Sequence, residues 1–306
     1  MDESAQFFYL KFLPLYEIEK PYHNFTDGAS NITTEKRPLQ PVLDIRGRER
    51  EFTLAIHGFE YRTRALPVVN WKDEEEIKKT YVDDLKVFVH ELVPETVQRC
   101  EMFDFRRQLR SVEAIQSKIP IHPGLCGTYK LSPALLVHIG ESLLMSGKWG
   151  GGGWDYMHVA DQTPEGVLEW LKRELGREET AEIVKKYRVR VINIWRPLVD
   201  VVEDNPLAMC DARTVKASDL VSSVHVSSDY TRRNYIVKYS PDFKFYYLSK
   251  MMKEEVCAFM VFDSCGVGEE RIRTPPHSAF WHSEKWRSDK YPRESIEVRM
   301  LVLSAL

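Results

Sequence analysis

The residues best equipped for chemistry lie late in the chain, in Pro276-His277-Ser278-Ala279-Phe280 and then Arg293-Glu294-Ser295-Ile296-Glu297-Val298-Arg299. In an extended chain successive side chains point to opposite faces. Arg293, Ser295, Glu297 and Arg299 therefore share one side of a strand, and Ile296, Val298, Met300 and Val302 the other. Charge along one face of a strand is costly to bury without a partner. An inward-facing arginine beside a serine suits a ligand carboxylate, because guanidinium fork and hydroxyl act together. His277 is then a candidate metal ligand. His282 competes with His277, and Arg299 with Arg293, for these roles.

A second cluster, Trp154-Asp155-Tyr156-Met157-His158-Val159-Ala160-Asp161-Gln162-Thr163-Pro164, follows the glycine run 150–153, which no phosphate-loop lysine accompanies. His158, Asp161 and the distant His277 make up the ligand inventory of a two-histidine, one-carboxylate face. Such a face binds iron(II) and leaves coordination positions open. Each residue also has a plainer role: His158 as a core residue, Asp161 as the N-cap of a helix starting at Pro164, Arg293 and Arg299 as ion-pair partners. Their joint occurrence in this order favours the chemical reading.

Positioning them requires strands late in the chain. Alternation predicts strands over 189–195, 224–229, 234–239, 243–248, 256–262, 277–281 and 293–303, with local helices at 216–222 and 248–254. Pro164 opens a helix with Val167, Leu168, Leu171 and Leu175 as its buried stripe and Gly176 as its stop. Earlier, residues 6–13 read as a strand, 20–41 as a loop, 42–45 and 51–56 as a hairpin, and 73–98 as a long helix broken near Pro94. We expect one domain over 1–306, with strands and helices of 1–130 packing on a barrel core at 131–306. The fold class is mainly β (α+β), a jelly-roll barrel with helices on its larger sheet.

Composition excludes several classes. The chain has 306 residues, 43% of them hydrophobic, enough for a sizeable core. A net charge of −3 gives no basic face for nucleic acid, and no apolar run is long enough to span a membrane. Five cysteines without metal-site spacing suit a reducing cytoplasm. Partners are therefore expected to be a small-molecule substrate, with a homodimer compatible.

Several stretches together resemble the iron(II)/2-oxoglutarate-dependent oxygenase family that includes the fungal gibberellin desaturase and the cephamycin 7α-hydroxylation protein. They are Asp44-Ile45-Arg46-Gly47, His57-Gly58-Phe59, Asn193-Ile194-Trp195-Arg196-Pro197-Leu198, Pro206 to Arg213, Tyr246-Tyr247-Leu248, Phe262-Asp263-Ser264, Pro276 to Phe280 and Arg293 to Arg299. The resemblance implies a double-stranded β-helix of secondary metabolism, holding iron(II) on His158, Asp161 and His277. It implies 2-oxoglutarate on Arg293 and Ser295, with Arg196 as a second carboxylate contact and Tyr246, Tyr247 and Asp263 lining the pocket. One departure stands out. The family pattern is His-x-Asp-Gln-Ser/Thr-Pro, whereas here His158-Val159-Ala160-Asp161 carries one residue more. A β-bulge would restore a common face.

The implied reaction is dioxygenase chemistry: hydroxylation, desaturation or oxidative cyclisation of a small natural product or amino-acid derivative. Two alternatives stay open. A metal-independent isomerase, cyclase or lyase on the same barrel would account for the irregular spacing. A non-catalytic binding module would have no need of His277, Arg293 and Ser295 together.

Overall fold

The computed structural model describes residues 2–24, 26–109, 137–139, 164–226, 231–266, 272–280 and 293–306. The strands, in chain order, begin with β1 (Glu3–Ala5), β2 (Phe8–Leu10), β3 (Tyr22–Asn24), β4 (Thr34–Lys36), β5 (Gln40–Asp44) and β6 (Phe59–Thr63). After the helix Val82–Leu92 come β7 (Val97–Leu109) and β8 (His138–Ile139). The helices Pro164–Leu175 and Arg177–Lys186 lead into β9 (Tyr187–Pro197), β10 (Leu207–Cys210), β11 (Leu220–Val226) and β12 (Thr231–Val237). Last are β13 (Phe245–Tyr247), β14 (Glu255–Asp263), β15 (His277–Ala279) and β16 (Glu294–Ala305).

Two large sheets result. One runs β1-β5-β13-β10-β15-β8-β12-β11-β3, the other β6-β14-β9-β16-β7, and β2 pairs with β4 separately. The inner faces of both large sheets meet in one core: Ile45 and Met209 from the first pack with Phe59, Trp195, Phe259 and Leu301 from the second. On the other side of the five-stranded sheet, Ile192, Ile194, Val298 and Met300 pack against Leu85, Phe88 and Val89 of the helix Val82–Leu92. The outer face of the larger sheet carries a third core, in which Phe245, Tyr247 and Phe280 meet Phe7 and Tyr9.

The helix Pro164–Leu175 falls where Pro164 and Gly176 place it, with Val167 and Leu171 buried in the inter-sheet core. β16 shows the expected alternation, Ile296, Val298, Met300 and Val302 all entering the helix-facing core. The hairpin over 42–56 does not form. β5 pairs with β1 and β13 instead, and residues 54–57 make a helical turn. Leu54 and His57 are buried three residues apart, and Gly58, at φ 84°, ends the turn in the left-handed conformation. The 73–98 helix stops at Leu92, and Val97 already belongs to β7. Residues 248–254 form turns around a left-handed Lys250 rather than a helix, and 216–222 splits into a 3-10 turn and the start of β11. Within 20–41, taken for a loop, lie the short strands β3 and β4. Among the described residues no helix is long and apolar enough to cross a membrane.

Candidate active site

His277 opens β15, a short strand held on both sides. It lies opposite Met209 of β10 and opposite His138 of β8. Directly opposed residues of antiparallel strands project to the same face. The two imidazoles accordingly sit 4.5 Å apart between ring centroids, and the Phe259 ring lies 4.6 Å from that of His277. Both histidines are buried, at 4% and 6% exposure. His277 Nδ1 donates to the carbonyl of Pro275 at 3.1 Å. A carbonyl can only accept, so Nδ1 carries a proton, and in the neutral form of the ring the lone pair is then on Nε2. Metal-binding histidines are oriented in the same way.

The facing wall is built by β16 and β9. Ser295 lies opposite Pro197, Glu297 opposite Trp195, and Arg299 opposite Asn193. The Arg293 guanidinium stacks 5.3 Å from the Trp195 ring and donates through Nη1 to the carbonyl of Asn205. Asn205 is left-handed, with φ 47°, and lies just before β10, the neighbour of the His277 strand. Arg293 is 3% exposed, and the buried Ser295 Oγ has no hydrogen-bond partner. Deeper along this face Glu297 accepts from Asn193 at 2.9 Å and from Arg299 at 3.5 Å.

Two residues expected at the site lie on other faces. Arg196 is opposite Ile296, in the row that includes Ile192 and Ile194, so it projects toward the helices and away from Ser295. There it stacks 5.5 Å from the Tyr81 ring and donates to Ala65 O at 3.2 Å. Its Nε and Nη2 have no hydrogen-bond partner, and burial pulls its pKa below the ordinary arginine value. Tyr247 belongs to the outer core of the larger sheet, edge-on to Phe280, and its neighbour Tyr246 packs with the inner core instead. Asp263 is engaged at the end of β14 by both arms of Arg188, at 2.6 and 2.9 Å. His158, Asp161 and His282 lie outside the described residues.

His138 is the histidine that reading the sequence missed. Val137-His138-Ile139 is too short a stretch for its apolar-polar-apolar order to signal a strand, and β8 is only two residues long. A signal was available in the spacing: His138-Ile139 lies upstream of Asp161-Gln162-Thr163-Pro164 as a second His-x start to the motif.

The donor chemistry fits the expected groups. Two buried imidazoles suit a borderline first-row divalent ion, and a buried arginine beside an unpartnered hydroxyl suits a carboxylate. Among the described residues no three His, Cys, Asp or Glu side chains cluster closely enough to hold a metal.

With this geometry in hand, the comparisons with known proteins agree. A family model described as an oxidoreductase/YMDC permease-like domain matches residues 9–147 and 152–303. The hydroxylase/desaturase efuI of Hormonema carpetanum is 33% identical over 293 residues, covering 90% of this chain and 87% of that protein. The Fe(II)/2-oxoglutarate-dependent dioxygenase nvfI of Aspergillus novofumigatus is 36% identical over 144 residues, 46% of this chain and 50% of that protein. The solved iron and alpha-ketoglutarate-dependent endoperoxidase NvfI superposes with a TM-score of 0.74 at 22% identity, covering 100% of this chain and 99% of that one. The chain belongs to this oxidoreductase family, which includes the fungal hydroxylase/desaturases.

Proposed function

We propose that the protein is an iron(II)/2-oxoglutarate-dependent oxygenase acting on a small natural-product or amino-acid-derived substrate, with hydroxylation, desaturation or oxidative cyclisation as its outcome. The observation that carries this reading is the pairing of His138 with His277 on one face, with Arg293 and Ser295 on the neighbouring sheet. Its relatives' names include hydroxylase/desaturase and Fe(II)/2-oxoglutarate-dependent dioxygenase.

A closed double-stranded β-helix is supported by strand order. β7, β9, β14 and β16 fall in the five-stranded sheet; β8, β10, β13 and β15 fall in the larger one. They lie in the orders β14-β9-β16-β7 and β13-β10-β15-β8, the interleaving a jelly roll needs.

We assign the near histidine to His138 in place of His158, with Asp161 and His277 completing the set. Side chains two apart on a strand share a face, so His138 calls for a carboxylate at position 140, where this chain has Gly140. Residues 140–160 stand between His138-Ile139 and Asp161-Gln162-Thr163-Pro164. Without them the chain would read His-Ile-Asp-Gln-Thr-Pro. The family match is itself interrupted within this stretch, between 147 and 152.

When bound, iron(II) with 2-oxoglutarate and oxygen would supply the oxidising equivalent that removes a hydrogen atom from substrate, the cosubstrate ending as succinate and carbon dioxide. The chain's own residues bind and orient. Pro275 O fixes the tautomer of His277. Arg293, oriented by Asn205 O and Trp195, and Ser295 would hold the tail carboxylate of the cosubstrate. Phe52, Phe59 and Phe259 wall the inner core and keep water from the metal side.

The test is an anaerobic titration with iron(II) and 2-oxoglutarate, following the visible metal-to-ligand charge-transfer band. We expect His138→Ala and His277→Ala to abolish the band and His158→Ala to retain it. A variant lacking 140–160 should bind iron at least as tightly as the full chain. Loss on His158→Ala with retention on His138→Ala would return the near ligand to His158. A wild-type protein without a band would move a metal-independent isomerase or lyase ahead.

A further inference from the structure

Gly58 has no part in the chemistry above, yet it lies beside the segment that delivers His277. Gly58 ends the helical turn Leu54–His57 at φ 84°, its N–H donating to Leu54 O at 3.2 Å. Its carbonyl accepts from Met260 N at 2.8 Å, next to Phe259, whose ring touches His277. A Cβ at this position would lie 2.8 Å from Arg273 O, 2.8 Å from Pro275 Cδ and 3.1 Å from Ala212 Cβ. Pro275 is the residue whose carbonyl takes the His277 proton. Pro276 O in turn accepts from Cys210 N at 2.8 Å, fastening the same segment to β10.

We propose that Gly58 is a positioning residue for His277: the hydrogen in place of a side chain lets residues 273–276 lie against the helical turn and sets where the imidazole stands. The proposal rests on the reading of His277 as a metal ligand. The two closest neighbours are a backbone carbonyl and a proline ring, neither of which can swing aside as a flexible side chain would. Ordinary contact begins at 3.4 Å, so an added methyl would displace the segment by about 0.6 Å. Displacements of ~1 Å in a functional group are enough to cost about a hundredfold in an active site.

A left-handed glycine also carries a backbone cost on substitution, and Gly47 separates the two effects. Gly47 has φ 87° and nothing within 4 Å of its added Cβ, so Gly47→Ala meets the same backbone penalty without the contact. The experiment compares Gly58→Ala with Gly47→Ala in iron(II) affinity and, on metal-free protein, in the imidazole resonances of His277 by NMR. Gly58→Ala should weaken iron(II) binding about tenfold or more and shift the His277 Nδ1 signal. Gly47→Ala should lower the melting temperature while leaving both readouts at wild-type values. If Gly58→Ala matches Gly47→Ala in both, the proposal is overturned. Should Gly58→Ala not fold, Pro275→Ala removes one of the two tight contacts but keeps the carbonyl. It should shift the same His277 signal, and an unmoved signal overturns the proposal. If wild-type protein binds no iron, the oxygenase reading fails while the NMR comparison still decides the role of Gly58.

Discussion

His138 and His277 oppose each other across neighbouring antiparallel strands, their rings 4.5 Å apart and both buried. If they serve one metal, their effects are not additive, because ligation is collective. The double variant His138→Ala/His277→Ala should therefore bind no less iron than either single variant, each already near zero. Metal content after anaerobic loading checks this. A single variant keeping half the wild-type content would separate the two histidines.

The second prediction concerns the cosubstrate clamp. Arg293→Lys keeps the charge but loses the planar fork and its stacking on Trp195. Affinity for 2-oxoglutarate should fall by about tenfold to a hundredfold, the scale of a charge-assisted hydrogen bond. Ser295→Ala should cost less, about threefold to tenfold, because the hydroxyl offers the carboxylate a single hydrogen bond and no charge of its own. Equilibrium titration with 2-oxoglutarate measures both; unchanged affinity in Arg293→Lys would remove that residue from the site.

Arg196 and Tyr247 make the complementary case. Both project away from the inner face, so Arg196→Met and Tyr247→Phe should leave 2-oxoglutarate affinity at the wild-type value. Arg196 is a buried cation with two unpartnered donors, a group that an apolar residue of similar volume replaces at little or no cost. Arg196→Met should melt no lower than wild type, whereas Arg196→Ala, which leaves a cavity under Tyr81, should melt clearly lower. A hundredfold loss of 2-oxoglutarate affinity in Arg196→Met would contradict the placement.

Acid stability should depend on Asp263. Burial, the largest single influence, would raise its pKa, but the hydrogen bonds and charge of Arg188, the Cys265 N–H and the Arg273 charge together outweigh it and hold the carboxyl below the usual range. A carboxyl depressed in the folded state contributes stability above its unfolded pKa of about 3.9, and that contribution is lost as pH falls through the folded value. The urea midpoint of wild type should fall more steeply below about pH 4 than that of Asp263→Asn. Parallel curves would refute the assignment.

What could be read from the sequence tracks where periodicity carries information. The helix Pro164–Leu175 has a start signal, a stop and an apolar stripe, and β16 alternates charged with aliphatic residues. In β9 and β14 nearly every position is buried, because both faces are covered. Without polar alternation nothing local tells Trp195 from Arg196 in facing, and register with β16 decides it. Tyr247, expected with Tyr246 to line the pocket, lies on the outer side for the same reason: β13 spans three residues, and its outer side is covered by Phe7. His138 was missed because its meaning comes from a partner far away in the chain. Residues 51–56 read as a strand because Thr53-Leu54-Ala55-Ile56 is apolar enough for either form, whereas Leu54–His57 forms a helical turn that Gly58 ends.

The position of β16 has a kinetic consequence. It follows every other described strand in chain order, yet it lies between β9 and β7, pairing with the first along most of its length and with the second from Glu294 to Ser304. While the ribosome is still making residues before 294, β7 lacks the one partner it has among the described strands, and the aliphatic face that the helix Val82–Leu92 packs against is incomplete. Non-local pairing of this kind folds slowly and leaves strand edges open meanwhile. The nascent chain should therefore be a stronger chaperone client than its finished size suggests, and ribosome-stalled chains ending before Glu294 should be protease-sensitive throughout β7.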